Sequence, residues 1–137
     1  MTEATHAPLA NRRILVAEDE FLSRMLLEDM LAQLEAVVVD SVASEAALVE
    51  AVREHVPDAV TLDLNLRGRR SYDAALALHA RGIPFVVITG YDRLPDWPAS
   101  LAEVPRVAKP VTIEDLAAAL TRAMAQPSRG KAPPPDA

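Results

Sequence analysis

The sequence predicts an α/β domain with a doubly wound, five-stranded parallel sheet, and three observations carry that prediction. Five short apolar runs recur along the chain, and each is followed by enough residues for one helix. Regular alternation of strands and helices is typical of parallel sheets with helical crossovers. The runs are almost wholly apolar, as expected of strands that are buried on both faces. A chain of 137 residues, half of them apolar, is long enough for one such core.

Each element has a recognisable start in the sequence. The predicted strands begin near Ile14, Val37, Ala59, Phe85 and Val104. Apolar residues at helical spacing predict a first helix from Phe21 to Leu34 and a last helix from Ile113 to Met124. Ser44 and Ser71 are placed to cap the second and third helices, and Thr112 is placed to cap the last.

The connection between the fourth and fifth predicted strands differs from the others. It begins at Gly90, contains Pro95 and Pro98, and reaches Pro105. Proline removes a backbone donor and clashes with the preceding helical turn, so these residues leave little uninterrupted helix. We therefore expect the fourth helix to be short or irregular.

Composition divides the chain into three parts and excludes several functions. Residues 1–10 are polar and residues 127–137 are rich in proline, so we expect two disordered segments around a folded domain of residues 11–126. A net charge of −6 disfavours nucleic-acid binding. No cysteine is available for a disulfide, and no apolar run approaches the roughly 20 residues that cross a bilayer. We expect a cytoplasmic protein with neither a membrane segment nor a signal peptide.

Residues with chemically useful groups follow four of the five predicted strands. They are Glu18 and Asp19 after the first strand, Asp63 after the third, Thr89 and Gly90 after the fourth, and Lys109 and Pro110 after the fifth. Because the carboxyl ends of parallel strands meet at one edge of the sheet, we expect these groups to converge there. The sequence thus predicts a site for a phosphoryl group and a divalent cation.

These residue types suit phosphoryl transfer to a carboxylate, a reaction that depends mainly on positioning and electrostatic stabilisation. Asp63 is the predicted nucleophile and phosphoacceptor. The predicted ligands of Mg²⁺, or of Mn²⁺ in its place, are Glu18, Asp19, Asp63 and the main-chain carbonyl of Asn65. The predicted phosphoryl-binding groups are the Thr89 hydroxyl, the Gly90 amide and the Lys109 ammonium. A cis peptide bond between Lys109 and Pro110 would aim the lysine towards the site.

In this order and register, the site residues resemble those of the receiver domain of two-component response regulators. The resemblance covers residues 12–125 and implies a flavodoxin-like (βα)5 fold. It also implies that a histidine kinase or a histidine phosphotransfer protein phosphorylates Asp63, and that the phosphoprotein signals by binding a downstream protein. We expect a stand-alone receiver in a phosphorelay, a monomer or weak dimer that loses its own phosphoryl group but turns over no separate substrate.

The end of the fourth predicted strand also resembles the subgroup of single-domain receivers called FAT GUY. Thr89, Gly90 and Tyr91 match that motif. Val87 and Ile88 depart from it, since the subgroup has Phe and Ala at these positions.

Three residues are expected to modulate the switch. Arg106 stands three positions before Lys109, where many receivers carry an aromatic switch residue. The usual coupling of a threonine to that aromatic residue therefore cannot operate here in its common form. We expect Tyr91 to take over part of the switch or to shield the phosphoryl group from water, with Arg106 and Pro110 as further modulating residues.

Several alternatives stay open. The chain could be an interaction module that works without phosphorylation, as Arg106 and the interrupted fourth helix would allow, or a receiver that acts as a phosphate sink. A phosphohydrolase of the haloacid dehalogenase type needs an acid two positions after the nucleophile, where this chain has Asn65. The three arginines at 67, 69 and 70 predict a solvated loop, or a patch that steers an acidic kinase surface.

Overall fold

The structure is a computed structural model, and it describes residues 8–90 and 93–126. Its strands are β1 (Arg13–Ala17), β2 (Val37–Val42), β3 (Ala59–Asp63), β4 (Asn65–Leu66), β5 (Arg69–Arg70), β6 (Phe85–Thr89) and β7 (Arg106–Ala108). Its α-helices are α1 (Phe21–Gln33), α2 (Glu45–His55), α3 (Tyr72–Ala80) and α4 (Ile113–Ala125). A single 3₁₀ turn, Ala99–Leu101, is the helical element between β6 and β7 in the described part of the chain.

Five of the strands form the main sheet in the order β2-β1-β3-β6-β7, and every neighbouring pair is parallel. The first strand, β1, therefore lies next to one edge of the sheet, β2 forms that edge, and the chain then returns across β1 to add β3, β6 and β7 on its other side. This order confirms the predicted doubly wound fold. In such sheets the ligand site lies beyond the carboxyl ends of the strands, at the point where the winding reverses between β1 and β3.

The core lies on both faces of this sheet. On one face the packing comes from helices α2 and α3, through residues such as Leu48 and Leu78. On the other face it comes from α1 and α4, through residues such as Leu31 and Leu120. The three inner strands, β1, β3 and β6, are almost completely buried between these layers, which explains their continuous apolar sequence. Burial on both faces fixes the positions of the strand ends that carry the site.

Two of the three predicted helix caps are confirmed. The Ser44 side chain accepts a hydrogen bond from the Ala47 N–H (3.2 Å), and the Thr112 side chain accepts one from the Asp115 N–H (3.1 Å). The third is confirmed in position only. Ser71 stands at the N-cap position of α3, but its hydroxyl makes no capping hydrogen bond. That hydroxyl instead donates to the main-chain carbonyl of Asp63 (2.7 Å).

The connection from β6 to β7 is irregular, as predicted. Pro98 precedes the 3₁₀ turn with an extended backbone, and Leu101 at the end of that turn is completely buried. The predicted solvated loop after β3 forms a small antiparallel hairpin, in which Asn65 pairs with Arg70. Its arginine side chains are exposed, in agreement with the prediction.

The division into three parts stays a prediction. Most of the two segments expected to be disordered, residues 1–7 and 127–137, lie outside the described residues. Within the described part, Leu9 is almost fully buried in the core cluster under α1 and α4. No helix that the structure describes has the length and apolar character to span a bilayer.

Candidate functional site

Three carboxylates meet at the carboxyl edge of the sheet. Glu18 follows β1 directly and Asp63 is the last residue of β3, and these neighbouring strands pair from Ile14 to Ala17. One carboxylate oxygen from each of Glu18, Asp19 and Asp63 lies within 4.8 Å of the others. Glu18 and Asp63 are only 2% exposed, whereas Asp19 faces solvent. The two strands thus bring together the acids that the sequence predicts as metal ligands.

Three residues outside the acidic group donate hydrogen bonds to Asp63. Its Oδ2 accepts from the Lys109 Nζ at 2.9 Å, and its Oδ1 accepts from the Asn65 N–H at 2.8 Å. Its main-chain carbonyl accepts from the Ser71 hydroxyl, which is fully buried. Both carboxylate oxygens and the main-chain carbonyl of the predicted phosphoacceptor are therefore fixed by neighbouring residues.

Lys109 reaches Asp63 from the loop after β7. Its main-chain N–H donates to the Thr89 carbonyl at 3.0 Å, which fastens this loop to the end of β6. The peptide bond between Lys109 and Pro110 is cis. The lysine side chain is 40% exposed. The contact between its ammonium group and the buried Asp63 carboxylate therefore lies at the rim of the site.

The charges of the site alter the pKa values of two of its groups. Burial raises the pKa of the Glu18 carboxyl to about 7, and the hydrogen bond and negative charge of Asp63 add to that rise. Burial lowers the pKa of Lys109, but the hydrogen bond and charge of Asp63 and the nearby glutamates outweigh it, so the net shift is upward. A second cation beside these acids would favour the ionised form of Glu18.

The loop after β3 is tied to the loop after β1. The Arg67 N–H donates to the Asp19 Oδ2 at 3.1 Å, and the Arg67 side chain donates to the Ala43 carbonyl at 3.1 Å. Arg67 and Gly68 both have positive φ angles, of 54° and 76°, and this backbone conformation forms the tight turn of the hairpin. The turn places the Arg67 N–H against the exposed carboxylate of Asp19.

The donor set fits a hard divalent cation. Magnesium binds oxygen ligands, commonly a small number of carboxylates together with water. The site offers three carboxylates within reach of one another but one ammonium group, so its own charges do not balance. Glu18, Asp19 and Asp63 are therefore the residues that would hold such an ion.

The structure also locates the other predicted residues. Thr89 is buried at the end of β6, and Gly90, Asn65, Arg106 and Pro110 are exposed. Tyr91 lies outside the described residues. Thr89 and Gly90 thus stand at the same edge of the sheet as the acids, since the strand carrying them pairs directly with β3.

Two features of the site region were not predicted from the sequence. The first is the hydrogen bond of Ser71 to Asp63, since a serine before a helix is ordinarily read as a cap. The second is an apolar surface at the start of α1, beside the acids. Its members, all exposed, are Phe21, Leu22, Met25 and Leu26, whereas the buried side of the helix is formed by Leu27 and Leu31. Helical periodicity alone does not reveal which of these residues face solvent.

The doubly wound sheet and its edge of three acids and one lysine define an α/β domain with an acidic site at the carboxyl ends of its strands. The response regulator receiver domain family matches residues 14–121. The chain belongs to this family. The resemblance inferred from the site residues is thereby confirmed at the level of the receiver domain.

Known proteins similar to this chain include a curated regulator and several solved receivers. Transcriptional regulatory protein PdtaR of Mycobacterium tuberculosis is 32% identical over 118 residues, which cover 84% of this chain and 58% of PdtaR. The chain thus spans less than two thirds of that relative's length. The solution structure of SdrG from Sphingomonas melonis is 38% identical, with a TM-score of 0.70, and the match covers 83% of this chain and 96% of SdrG.

A third protein supports the fold alone. The receiver domain of the sensor histidine kinase PA1611 from Pseudomonas aeruginosa is 24% identical, with a TM-score of 0.73. The match covers 85% of this chain and 100% of that domain, whose crystal structure holds a magnesium ion in its active-site cleft.

Proposed function

We propose that this chain is a phosphoacceptor in a two-component phosphorelay and that Asp63 takes the phosphoryl group. The observation that carries the proposal is the contact of the Lys109 ammonium with the Asp63 carboxylate inside a group of three acids. A lysine at hydrogen-bond distance from a nearly buried carboxylate is placed to bind the oxygens of a phosphoryl group on that carboxylate. Membership of the receiver family supports the same reaction.

The transfer step follows from the contacts of Asp63. One Asp63 carboxylate oxygen forms a bond to phosphorus while the bond from phosphorus to the donor breaks, and the bonding electron pair leaves with the donor. Lys109 stabilises the negative charge on the phosphoryl oxygens, and the Thr89 hydroxyl and Gly90 amide donate hydrogen bonds to them. Asn65 and Ser71 hold the aspartate in place, so that little reorganisation accompanies the attack.

A divalent cation completes the site in this proposal. Glu18, Asp19, Asp63 and the main-chain carbonyl of Asn65 would hold Mg²⁺, or Mn²⁺ in its place. When bound, the ion neutralises charge on the phosphoryl oxygens. The magnesium ion in the cleft of the PA1611 receiver, which has the same fold, supports this part of the proposal.

The proposal extends to the partners and the subgroup. The phosphoryl donor is a histidine kinase or a histidine phosphotransfer protein, and the phosphorylated chain signals by contact with another protein. PdtaR is named as a regulator, which agrees with a signalling role. Thr89, Gly90 and Tyr91 support membership of the FAT GUY subgroup, with Tyr91 and Arg106 as modulators of the switch.

The test is phosphorylation by a small-molecule donor. Purified protein is incubated with acetyl phosphate and Mg²⁺, and its intact mass is measured under conditions that preserve acyl phosphates. We expect the wild type to gain one phosphoryl group and Asp63→Asn to gain none. Asp58→Asn is the matched control, because Asp58 lies at the opposite edge of the sheet and accepts a hydrogen bond from the Arg13 N–H.

Two results would overturn the proposal. Absence of any mass gain in the wild type, also with candidate kinases, would favour an interaction module that works without phosphorylation. An equal gain in Asp63→Asn would place the acceptor elsewhere. A phosphorylated wild type that binds every partner as the unphosphorylated form does would instead favour the phosphate sink.

A further inference from the structure

Four side chains form a continuous stack beside the candidate site, with two aromatic rings in the middle and one arginine at each end. The Arg70 guanidinium lies 5.9 Å from the centre of the Tyr72 ring. The Tyr72 and Trp97 rings meet edge to face, with centres 5.2 Å apart and planes at 79°. The Arg106 guanidinium lies 5.9 Å from the centre of the Trp97 ring. Both kinds of contact are attractive at these distances. We call these four residues the ring stack.

One end of the ring stack is connected to Asp63 by two short routes. The Asn65 N–H donates to the Asp63 Oδ1, and Asn65 pairs with Arg70 in the small hairpin. The buried Ser71 hydroxyl donates to the Asp63 carbonyl, and Ser71 directly precedes Tyr72. Both the side chain and the backbone of the predicted phosphoacceptor are thus within one residue of a member of the stack.

The other end of the ring stack holds the irregular connection between β6 and β7. The Tyr72 hydroxyl donates to the Pro95 carbonyl at 2.8 Å, and the Trp97 ring N–H donates to the Leu101 carbonyl at 3.1 Å. Residues 93–101 have one short 3₁₀ turn and no α-helix. Their position therefore depends on these side-chain contacts and on buried Leu101 more than on a helix of their own.

Phosphorylation disturbs the first end of the stack whichever oxygen of Asp63 reacts. Oδ1 is occupied by the Asn65 N–H and Oδ2 by the Lys109 ammonium, so a new bond to phosphorus weakens one of these hydrogen bonds. Loss of the first would remove the contact between the Asp63 carboxylate and the hairpin strand that pairs with Arg70. Movement of Lys109 acts on the loop that follows β7, the strand on which Arg106 stands.

We propose that the ring stack transmits the phosphorylation state of Asp63 to residues 93–101. This inference rests on the proposed function and adds to it the route of its regulation. Arg106, at the position where many receivers have an aromatic switch residue, acts as the last cation of the stack and supports the ring of Trp97. The surface that changes contains the exposed residues Arg93, Pro95, Asp96, Ala99 and Ser100.

Trp97 makes the inference directly measurable, because it is the only tryptophan in the chain. Its emission spectrum and its quenching by acrylamide are recorded before and after treatment with acetyl phosphate and Mg²⁺, and intact mass gives the phosphorylated fraction of the same sample. Hydrogen exchange of a peptide covering residues 93–101 gives a second readout that does not use Trp97. We expect phosphorylation to shift the emission, change the quenching and alter the exchange of this peptide.

Three variants separate the stack from the chemistry. Tyr72→Leu removes the central ring, and Arg106→Ala removes an exposed side chain whose loss leaves the core intact. Neither residue belongs to the proposed phosphoryl or metal site, so both variants are expected to gain the phosphoryl group as the wild type does. Both should lose most of the phosphorylation-dependent change in exchange at residues 93–101. Arg122→Ala, which removes an exposed arginine from α4, should keep the full response.

The outcomes distinguish the inference from the proposed function. A wild type that gains no phosphoryl group would overturn the proposed function, and the inference with it. A phosphorylated wild type with unchanged Trp97 emission and unchanged exchange at residues 93–101 would overturn the inference alone. A full response in both Tyr72→Leu and Arg106→Ala would show that the signal takes another route, which would also overturn it.

Discussion

The two ends of the central strands use the same types of charged residue in opposite ways. At the amino edge, Asp58 accepts a hydrogen bond from the Arg13 N–H (2.8 Å), and the Arg13 guanidinium donates to the carbonyls of His55 (2.6 Å) and Val56 (3.1 Å). Each group there meets a partner of complementary charge or polarity. At the carboxyl edge, three acids crowd together and one lysine approaches them.

The contrast indicates a structural role for the charged residues of the amino edge and a chemical role for those of the carboxyl edge. A folded chain gains nothing by gathering like charges, because their repulsion and the loss of hydration oppose burial. Glu18 shows that cost, since burial and the neighbouring Asp63 raise its pKa to about 7. Folding alone does not require this grouping of three acids and a lysine, but binding of a cation and a phosphoryl group would. The amino edge, in contrast, has no comparable imbalance among its described contacts.

Removal of Lys109 is expected to have the largest effect. In Lys109→Met, the phosphoryl oxygens lose their positively charged donor, so the rate constant for phosphoryl gain from acetyl phosphate should fall roughly 10²-fold. The measurement is the time course of intact mass at fixed acetyl phosphate and Mg²⁺. Arg13→Met is the matched control, since it removes a cation of the amino edge. Equal rate constants for the two variants would contradict the assigned role of Lys109.

Magnesium should stabilise the protein through the acids of the carboxyl edge. At a tenfold excess of Mg²⁺ over its dissociation constant, we expect the free energy of unfolding to rise by about 1.4 kcal/mol. Asp19→Asn should lose most of this increase, because it removes one of the three carboxylates. The measurement is urea unfolding with and without Mg²⁺. Asp58→Asn should lose some stability but keep the magnesium response. A full response in Asp19→Asn would exclude Asp19 as a ligand.

The sequence was sufficient to predict the sheet and the residues gathered at its carboxyl edge. Glu18, Asp63 and Lys109 directly follow or end strands of the parallel sheet, so that the pairing of these strands brings the three residues to one edge. The interrupted helix was equally predictable, because proline acts on the local backbone. Features with a local cause can therefore be predicted from the sequence.

Features that depend on distant contacts were not. The Ser71 hydroxyl donates to the Asp63 carbonyl and does not cap its own helix, and no local sequence pattern indicates this. Trp97 and Arg106 meet only because residues 93–101 fold back against the sheet edge. In α1, Phe21 and Leu22 share the spacing of core residues but face solvent, since Leu27 and Leu31 already fill the space under the helix. Tertiary packing decided each of these cases.

The smallest expected effect concerns Thr61, a polar group between the two edges. It lies two residues before Asp63 in the central strand β3, and it is fully buried. Its hydroxyl has no hydrogen-bond partner among the described residues. A buried donor without a partner has lost its hydrogen bonds to water and gains none in the folded protein, which lowers stability. Thr61→Val keeps the shape, so it should raise the free energy of unfolding by about 1 kcal/mol.

Urea unfolding of Thr61→Val tests whether the unpaired Thr61 hydroxyl lowers the stability of the fold. Thr121→Val is the matched control, because the Thr121 hydroxyl donates to the Ala117 carbonyl at 2.8 Å and its removal should bring no gain. The rate of phosphoryl gain should be unchanged in Thr61→Val, since the Thr61 hydroxyl makes no hydrogen bond to the acids or to Lys109. A loss of stability would mean that the hydroxyl has a bound partner inside the core. A slower phosphoryl gain would instead make Thr61 part of the support of Asp63, and the site would then extend into the strand below it.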